Sequence, residues 1–185
     1  VMQVLRPAPI KLYALILLFL SIPYIFFVIW RIGIPLEING NEPWNAYHID
    51  HAFDRDKLYP DPAYLINNYT PFSYYIINLF SRLIDNPIIT GRIISVLSII
   101  TISVSVYYSV LELLPERKQA ALFSAILFSA IMFRGFVSYA GMNDPHLLGL
   151  AVMALGFLHF LKYRHSQYIY ISFAIFIISG LIKNS

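Results

Sequence analysis

The sequence predicts an all-α fold: a polytopic transmembrane helical bundle with a long external loop that carries juxtamembrane helices. Composition is the first observation behind this. Of the 185 residues, 58% are hydrophobic and 12% are charged, where an ordinary soluble domain has about 45–50% and about 25%. So little charge cannot cover a soluble globule, and so apolar a chain is not disordered. The second observation is a series of apolar stretches close to membrane length. The third is an aromatic content of 16%, with 14 Tyr and 2 Trp, rings that settle at membrane–water interfaces. The absence of Cys excludes a disulfide framework, a thiolate nucleophile and a Cys-type zinc site. The net charge of +3 comes from scattered basic residues, so no nucleic-acid partner is expected.

Along the chain, the first span is 12–30. It holds 19 residues without a charge, about 28 Å as a helix, close to the roughly 30 Å of bilayer hydrocarbon. A cleaved signal peptide is the competing reading. Such a peptide has a shorter apolar core and a small-residue cleavage site, whereas this stretch ends Val28-Ile29-Trp30-Arg31. Pro23 predicts a kink. Residues 93–111 form a second uncharged stretch. The third span is 119–139, with Arg134 snorkelling, and spans 147–161 and 166–182 follow after short loops. Gly149, Gly156, Ser103, Ser105, Ser124 and Ser129 allow these helices to approach closely.

The long loop, 31–92, has its own structure. Asn39-Gly40-Asn41 is turn chemistry, and Pro43 suits the first turn of a helix with Asn41 or Glu42 near its cap. The pattern predicts an interfacial helix near 43–57, with Trp44, Tyr47, His48, His51 and Ala52 on one face and Asn45, Asp50 and Asp54 elsewhere. Tyr59-Pro60-Asp61-Pro62 ends it. Asn67-Asn68-Tyr69-Thr70-Pro71 turns the chain into a second interfacial helix near 71–84, too short to span. A merely solvated linker is the bland alternative, but that composition favours Ser, Gly and Lys over Trp, Tyr, Pro and His. Asp54-Arg55-Asp56 has the spelling of a sugar-nucleotide metal motif. Alternate residues on a helix do not face the same way, and a solvated face accounts for it better.

Charge sets the expected sidedness. With 71–84 in the interface, the segments 1–11, 112–118 and 162–165 carry Arg6, Lys11, Arg117, Lys118, Lys162 and Arg164, a basic density about threefold above that of 31–92 and 134–146. The positive-inside rule then places the N-terminus in the cytoplasm and the long loop outside. The expected location is the plasma or inner membrane. Eight of the ten acids, Glu42 and Asp144 among them, fall on the outer face.

The ordered set Asn41-Glu42-Pro43-Trp44-Asn45-Ala46-Tyr47-His48, Leu58-Tyr59-Pro60, Asn67-Asn68-Tyr69-Thr70-Pro71-Phe72, Gly91-Arg92, Met142-Asn143-Asp144-Pro145 and Gly180-Leu181-Ile182-Lys183-Asn184 resembles the N-terminal half of the GT-C superfamily of membrane glycosyltransferases. That superfamily includes protein O-mannosyltransferase-like and aminoarabinose-transferase-like enzymes. The resemblance implies sugar transfer of the inverting type from a polyprenyl-phosphate carrier to a protein or glycolipid acceptor at the outer face. It implies a loop carboxylate as general base and a second acid in the next external loop, which fall on Glu42 and Asp144. The family's usual Asp-Glu pair is here Asn41-Glu42. Family members are longer, so the chain reads as a fragment.

Elementary chemistry supports these assignments and offers plain alternatives. Partial desolvation by Trp44 and Tyr47 is expected to raise the pKa of Glu42 toward that of a working base, whereas the plain reading is a helix-start carboxylate favoured by the macrodipole. Asp144 before Pro145 is equally a helix cap. A phosphate leaving group calls for a cation, and Arg92, Arg134 and Lys183 are the candidates, Lys183 first because the family pattern has a lysine there. Trp44, Tyr47 and His48 are expected to bind substrate, with Arg92 and Lys183. No protein-bound metal site is expected, since His48 and His51 lack a third ligand; Mg or Mn remains an optional cofactor for the phosphate. The competing functions are a transporter-like and a non-catalytic integral membrane protein. Transporters place charge at mid-membrane depth, whereas here polar residues concentrate in one loop.

Overall fold

A computed structural model describes residues 7–59 and 70–183, and among them every regular element is helical. In order these are α1 (Pro7–Ile32), α2 (Asn41–Asp50), α3 (Arg55–Leu58), α4 (Phe72–Ile84), α5 (Pro87–Leu113), α6 (Lys118–Ala130), a π-helical turn (Ile131–Gly135), α7 (Pro145–Tyr163) and α8 (Ile169–Ile182). The Tyr59-Pro60-Asp61-Pro62 stop beyond Tyr59, the Asn67-Asn68-Tyr69 turn, Arg6 and Asn184 lie outside the described residues.

Among the described residues three helices, over Ile10–Ile32, Pro87–Leu113 and Pro145–Tyr163, are long and apolar enough to cross a membrane. Two of them, α5 and α7, start as their sequences dictate. Asn86 caps α5 by accepting from the Ile89 N–H at 3.0 Å, and Asp144 caps α7 by accepting from the His146 N–H at 2.8 Å, each with Pro at the first helical position. Pro23 lies inside α1, which continues through it.

The expected spans 119–139 and 166–182 are cut differently. α6 stops after 13 residues and α8 has 14. Past α6 the chain widens into the π turn and then into open turns up to Asp144. In these turns the Arg31 guanidinium of α1 donates to the carbonyls of Val137 and Ala140 at 2.8 and 2.6 Å, supplying partners that the helical ladder does not.

The helix ends sort into two levels. The Arg92 side chain near the start of α5 bonds the Arg31 carbonyl at the end of α1. Ser179 of α8 bonds the Gly149 carbonyl near the start of α7 at 2.8 Å. The start of α5 therefore lies beside the end of α1, and the end of α8 beside the start of α7. α4 itself ends at Asp85, whose φ of 54° places it in the left-handed region.

Small residues bring the helices together. Ser103 and Ser129 hydroxyls meet at 2.8 Å between α5 and α6, and Gly156 lies against the Phe176 ring of α8. One apolar core joins Val28, Ile99, Ile102, Phe133, Ala140, Leu147 and Ala151 from α1, α5, the π turn and α7. A second holds the loop helices down through Ile49, Ala52, Leu58, Tyr74 and Ile77.

Gly91 marks the tightest approach. A Cβ there stands 1.8 Å from Asn143 Oδ1 and 2.8 Å from Asn143 Cβ. Gly91→Ala is therefore expected to destabilise the protein by about 1–3 kcal/mol or more, and Gly91→Ala with Asn143→Ala to recover part of that loss. Thermal unfolding in detergent measures both.

Candidate active site

α2 begins where Asn39-Gly40-Asn41 and Pro43 indicate, and Glu42 falls in its first turn. The helix is shorter than the expected 43–57: it ends at Asp50, and a separate turn of helix resumes at Arg55. Its buried face is also rotated from the aromatic face expected. Glu42, Asn45, Ala46, His48 and Ile49 point inward, Trp44 is half-buried, and Tyr47 is 40% exposed. The cause is Glu42, whose anchorage at the helix start sets the rotation of every residue after it.

Glu42 is fully buried, with each carboxylate oxygen accepting two hydrogen bonds. Oε1 takes the Arg92 Nε–H and the Asn143 backbone N–H, both at 2.9 Å. Oε2 takes Arg92 Nη2 at 2.6 Å and the Ile38 backbone N–H at 2.7 Å. A carboxylate has about four acceptor positions, and all are filled. Arg92, also fully buried, is equally committed. Besides its two bonds to Glu42, it donates from Nη1 to the carbonyls of Arg31 and Ile34 and from Nη2 to that of Leu36 at 2.6 Å. All five guanidinium N–H groups have partners within the protein.

This changes the expectation of a raised pKa. Burial by itself pushes the Glu42 carboxyl up, but the bond from Arg92, the N–H groups of Asn143 and Ile38 and the Arg92 charge together outweigh it and hold the carboxyl below its ordinary value. Arg92, expected to meet a phosphate, has no N–H left to offer one.

Asp144 occupies a different environment. It is half-exposed; Oδ1 caps α7, and Oδ2 has no hydrogen-bond partner among the described residues. The Glu42–Asn143 bond brings the two acids expected to share a site within one residue of contact. The Asn143 peptide is clamped from both sides, since the Asn45 side chain donates to the Asn143 carbonyl at 2.8 Å. Asn39 adds a contact to Met142. Nothing local in the sequence marks Asn45 or Asn143; the pattern Met142-Asn143-Asp144-Pro145 signals only the cap.

The remaining expected residues gather more loosely. His48 is fully buried against Trp44, Tyr47 and Tyr74. Burial, with a smaller contribution from His51, lowers its pKa, so it is neutral near pH 7. Among the described residues neither His48 ring nitrogen has a partner, nor do Asn45 Oδ1, Ser73 Oγ or the Asn143 amide atoms. His51 Nδ1 lies 2.8 Å from the Tyr47 carbonyl. No group of three or more His, Asp and Glu converges among the described residues. Lys183 follows α8 at the Glu42 end of the bundle, half-buried, with its Cβ against Gly149. Arg134 is exposed, its guanidinium 5.6 Å from the Tyr24 ring centre.

Removing one member of the buried pair strands the other. Glu42→Gln and Arg92→Met are each expected to cost about 3–5 kcal/mol of stability, read by thermal unfolding in detergent. Because the folded-state pKa of Glu42 is lowered, its contribution is fully present above the unfolded value of about 4.3 and is lost as pH falls through the folded value. The acid limb of the wild-type stability profile should flatten in Glu42→Gln.

The sequence profile of the dolichyl-phosphate-mannose-protein mannosyltransferase family matches residues 68–185, nearly two-thirds of the chain. The match takes in Arg92, Asn143, Asp144 and Lys183, while Glu42 precedes it. No curated protein and no solved structure matches the chain. With apolar helices of membrane length and a long match to a family of membrane enzymes, the chain belongs to the dolichyl-phosphate-mannose-protein mannosyltransferase family of membrane glycosyltransferases.

Proposed function

We propose that this chain carries the acidic end of a glycosyl-transfer site, in which a sugar passes from a polyprenyl-phosphate carrier to an acceptor hydroxyl at the outer membrane face. The acceptor oxygen bonds to the anomeric carbon as the bond from that carbon to the phosphate oxygen breaks. Attack from the opposite side inverts the anomeric centre. The lipid phosphate departs with the bonding pair, and the acceptor proton goes to a carboxylate.

Within this reading Asp144 receives the proton and Glu42 is a positioning residue. The observation that carries the division is the hydrogen-bond count: Glu42 has no acceptor position left, whereas Asp144 keeps one oxygen without a partner at a half-exposed site. Glu42 acts through the Asn143 N–H, fixing the peptide from which Asp144 projects. With Arg92 consumed by that pair, Lys183 is the cation assigned to the leaving phosphate. A divalent ion bound by that phosphate is a further means of neutralising it.

An apolar cavity of about 420 Å³ between α5, α6, α7 and α8, lined by Ile102, Phe128, Met132, Leu147, Phe157 and Phe176 among others, suits an isoprenoid tail. Leu147 stands three residues beyond Asp144, so the cavity begins one helical turn from the acid. Polar groups concentrated at one end favour transfer at a membrane surface over transport through the bundle.

Asp144→Asn keeps the helix cap, since Asn caps as well as Asp. It is expected to lower sugar transfer from a polyprenyl-phosphate donor by about 10²–10⁴-fold while leaving the unfolding temperature within a degree or so. Transfer assays in membranes together with thermal unfolding read the two effects separately. Unchanged transfer by Asp144→Asn removes Asp144 from the role of base.

A further inference from the structure

At the end of the bundle away from Glu42, α1 and α6 run side by side in the same direction with an apolar slot between them. Its volume is about 420 Å³ and its walls are Ile10, Ala14, Leu15, Leu18, Leu122 and Ile126, with Lys11 and Gln119 at the mouth. From Lys11 to Leu18, and equally from Gln119 to Ile126, the walls are seven residues long, about 10 Å. That is roughly two-thirds of one leaflet of a bilayer whose hydrocarbon is about 30 Å thick. The mouth lies at Lys11, immediately before the uncharged stretch 12–30, where a flanking basic side chain meets lipid headgroups.

The mouth is basic. Lys11 is exposed, and Arg117 and Lys118, also exposed, immediately precede Gln119. Glu116 stands on the same turn and leaves the group with a net positive charge. The Gln119 side-chain oxygen is buried and has no hydrogen-bond partner among the described residues.

We infer that this slot binds one anionic phospholipid of the leaflet. An acyl chain lies between α1 and α6, the phosphate meets Lys11, Arg117 and Lys118, and a headgroup hydroxyl donates to Gln119. Charge complementarity and depth select this occupant. A zwitterionic lipid offers the cations no net charge, and the slot stops short of the bilayer centre. The inference is independent of the transfer chemistry proposed at the other end of the bundle.

Native mass spectrometry of the protein from mixed phosphatidylglycerol and phosphatidylcholine micelles tests it, with undecaprenyl phosphate as competitor. The wild type is expected to retain one phosphatidylglycerol. Lys11→Gln/Arg117→Gln/Lys118→Gln should weaken that retention by about tenfold or more, since each basic side chain at an anionic headgroup adds a few-fold in affinity. Gln119→Leu, which leaves the charges in place, should weaken it less and serves if the triple variant does not fold. Equal retention of phosphatidylcholine, unchanged retention by both variants, or preferential displacement by undecaprenyl phosphate overturns the inference.

Discussion

A fully buried ion pair between Glu42 and Arg92, fifty residues apart, holds the acidic end of this molecule in shape. Burying two charges is expensive, and an ion pair survives away from water only when its hydrogen-bonding capacity is met. Here it is met completely. The guanidinium gathers the carbonyls at the end of α1 and the turn after it, while the carboxylate gathers the N–H groups of Ile38 and Asn143. Five donors in a planar fork are needed for this, and Lys with three donors on a point charge cannot replace Arg92.

The pair fixes three pieces of chain relative to one another: the exit from α1, the start of α2 and the approach to α7. Gly91, next to Arg92, lets the Asn143 side chain lie flat on α5, and Asn45, one turn beyond Glu42, takes the Asn143 carbonyl. Asp144 thus projects from a peptide held on both sides, with its cap to His146 as a further constraint. Rigid support of this kind is what a group that must meet a reacting atom requires. Around it lie buried polar atoms without partners among the described residues, on Asn45, His48, Ser73 and Asn143. Groups of that kind each cost stability, and such costs concentrate at sites kept for function.

Much of this was legible in the chain. Uncharged runs mark α1, α5 and α7 because membrane length and apolarity are local properties. Asn86-Pro87 and Asp144-Pro145 mark helix starts because a cap and its proline are adjacent. What was not legible depends on distant partners. That the Glu42 carboxylate is met by Arg92, Ile38 and Asn143, and Arg92 by the carbonyls of Arg31, Ile34 and Leu36, shows only once the fold brings them together. Likewise the partners that Arg31 finds at the Val137 and Ala140 carbonyls lie over one hundred residues away in the chain. The rotation of α2 has the same origin, since Asn45 turns inward only because Glu42 is anchored.

The central claim is that Glu42 and Arg92 act as one structural unit. A double-mutant cycle on unfolding free energy, using Glu42→Gln, Arg92→Met and the double variant, tests it most directly. A coupling on the order of 2–3 kcal/mol is expected, with the double variant losing clearly less than the sum of the two singles. Additive losses, with coupling below about 0.5 kcal/mol, contradict it.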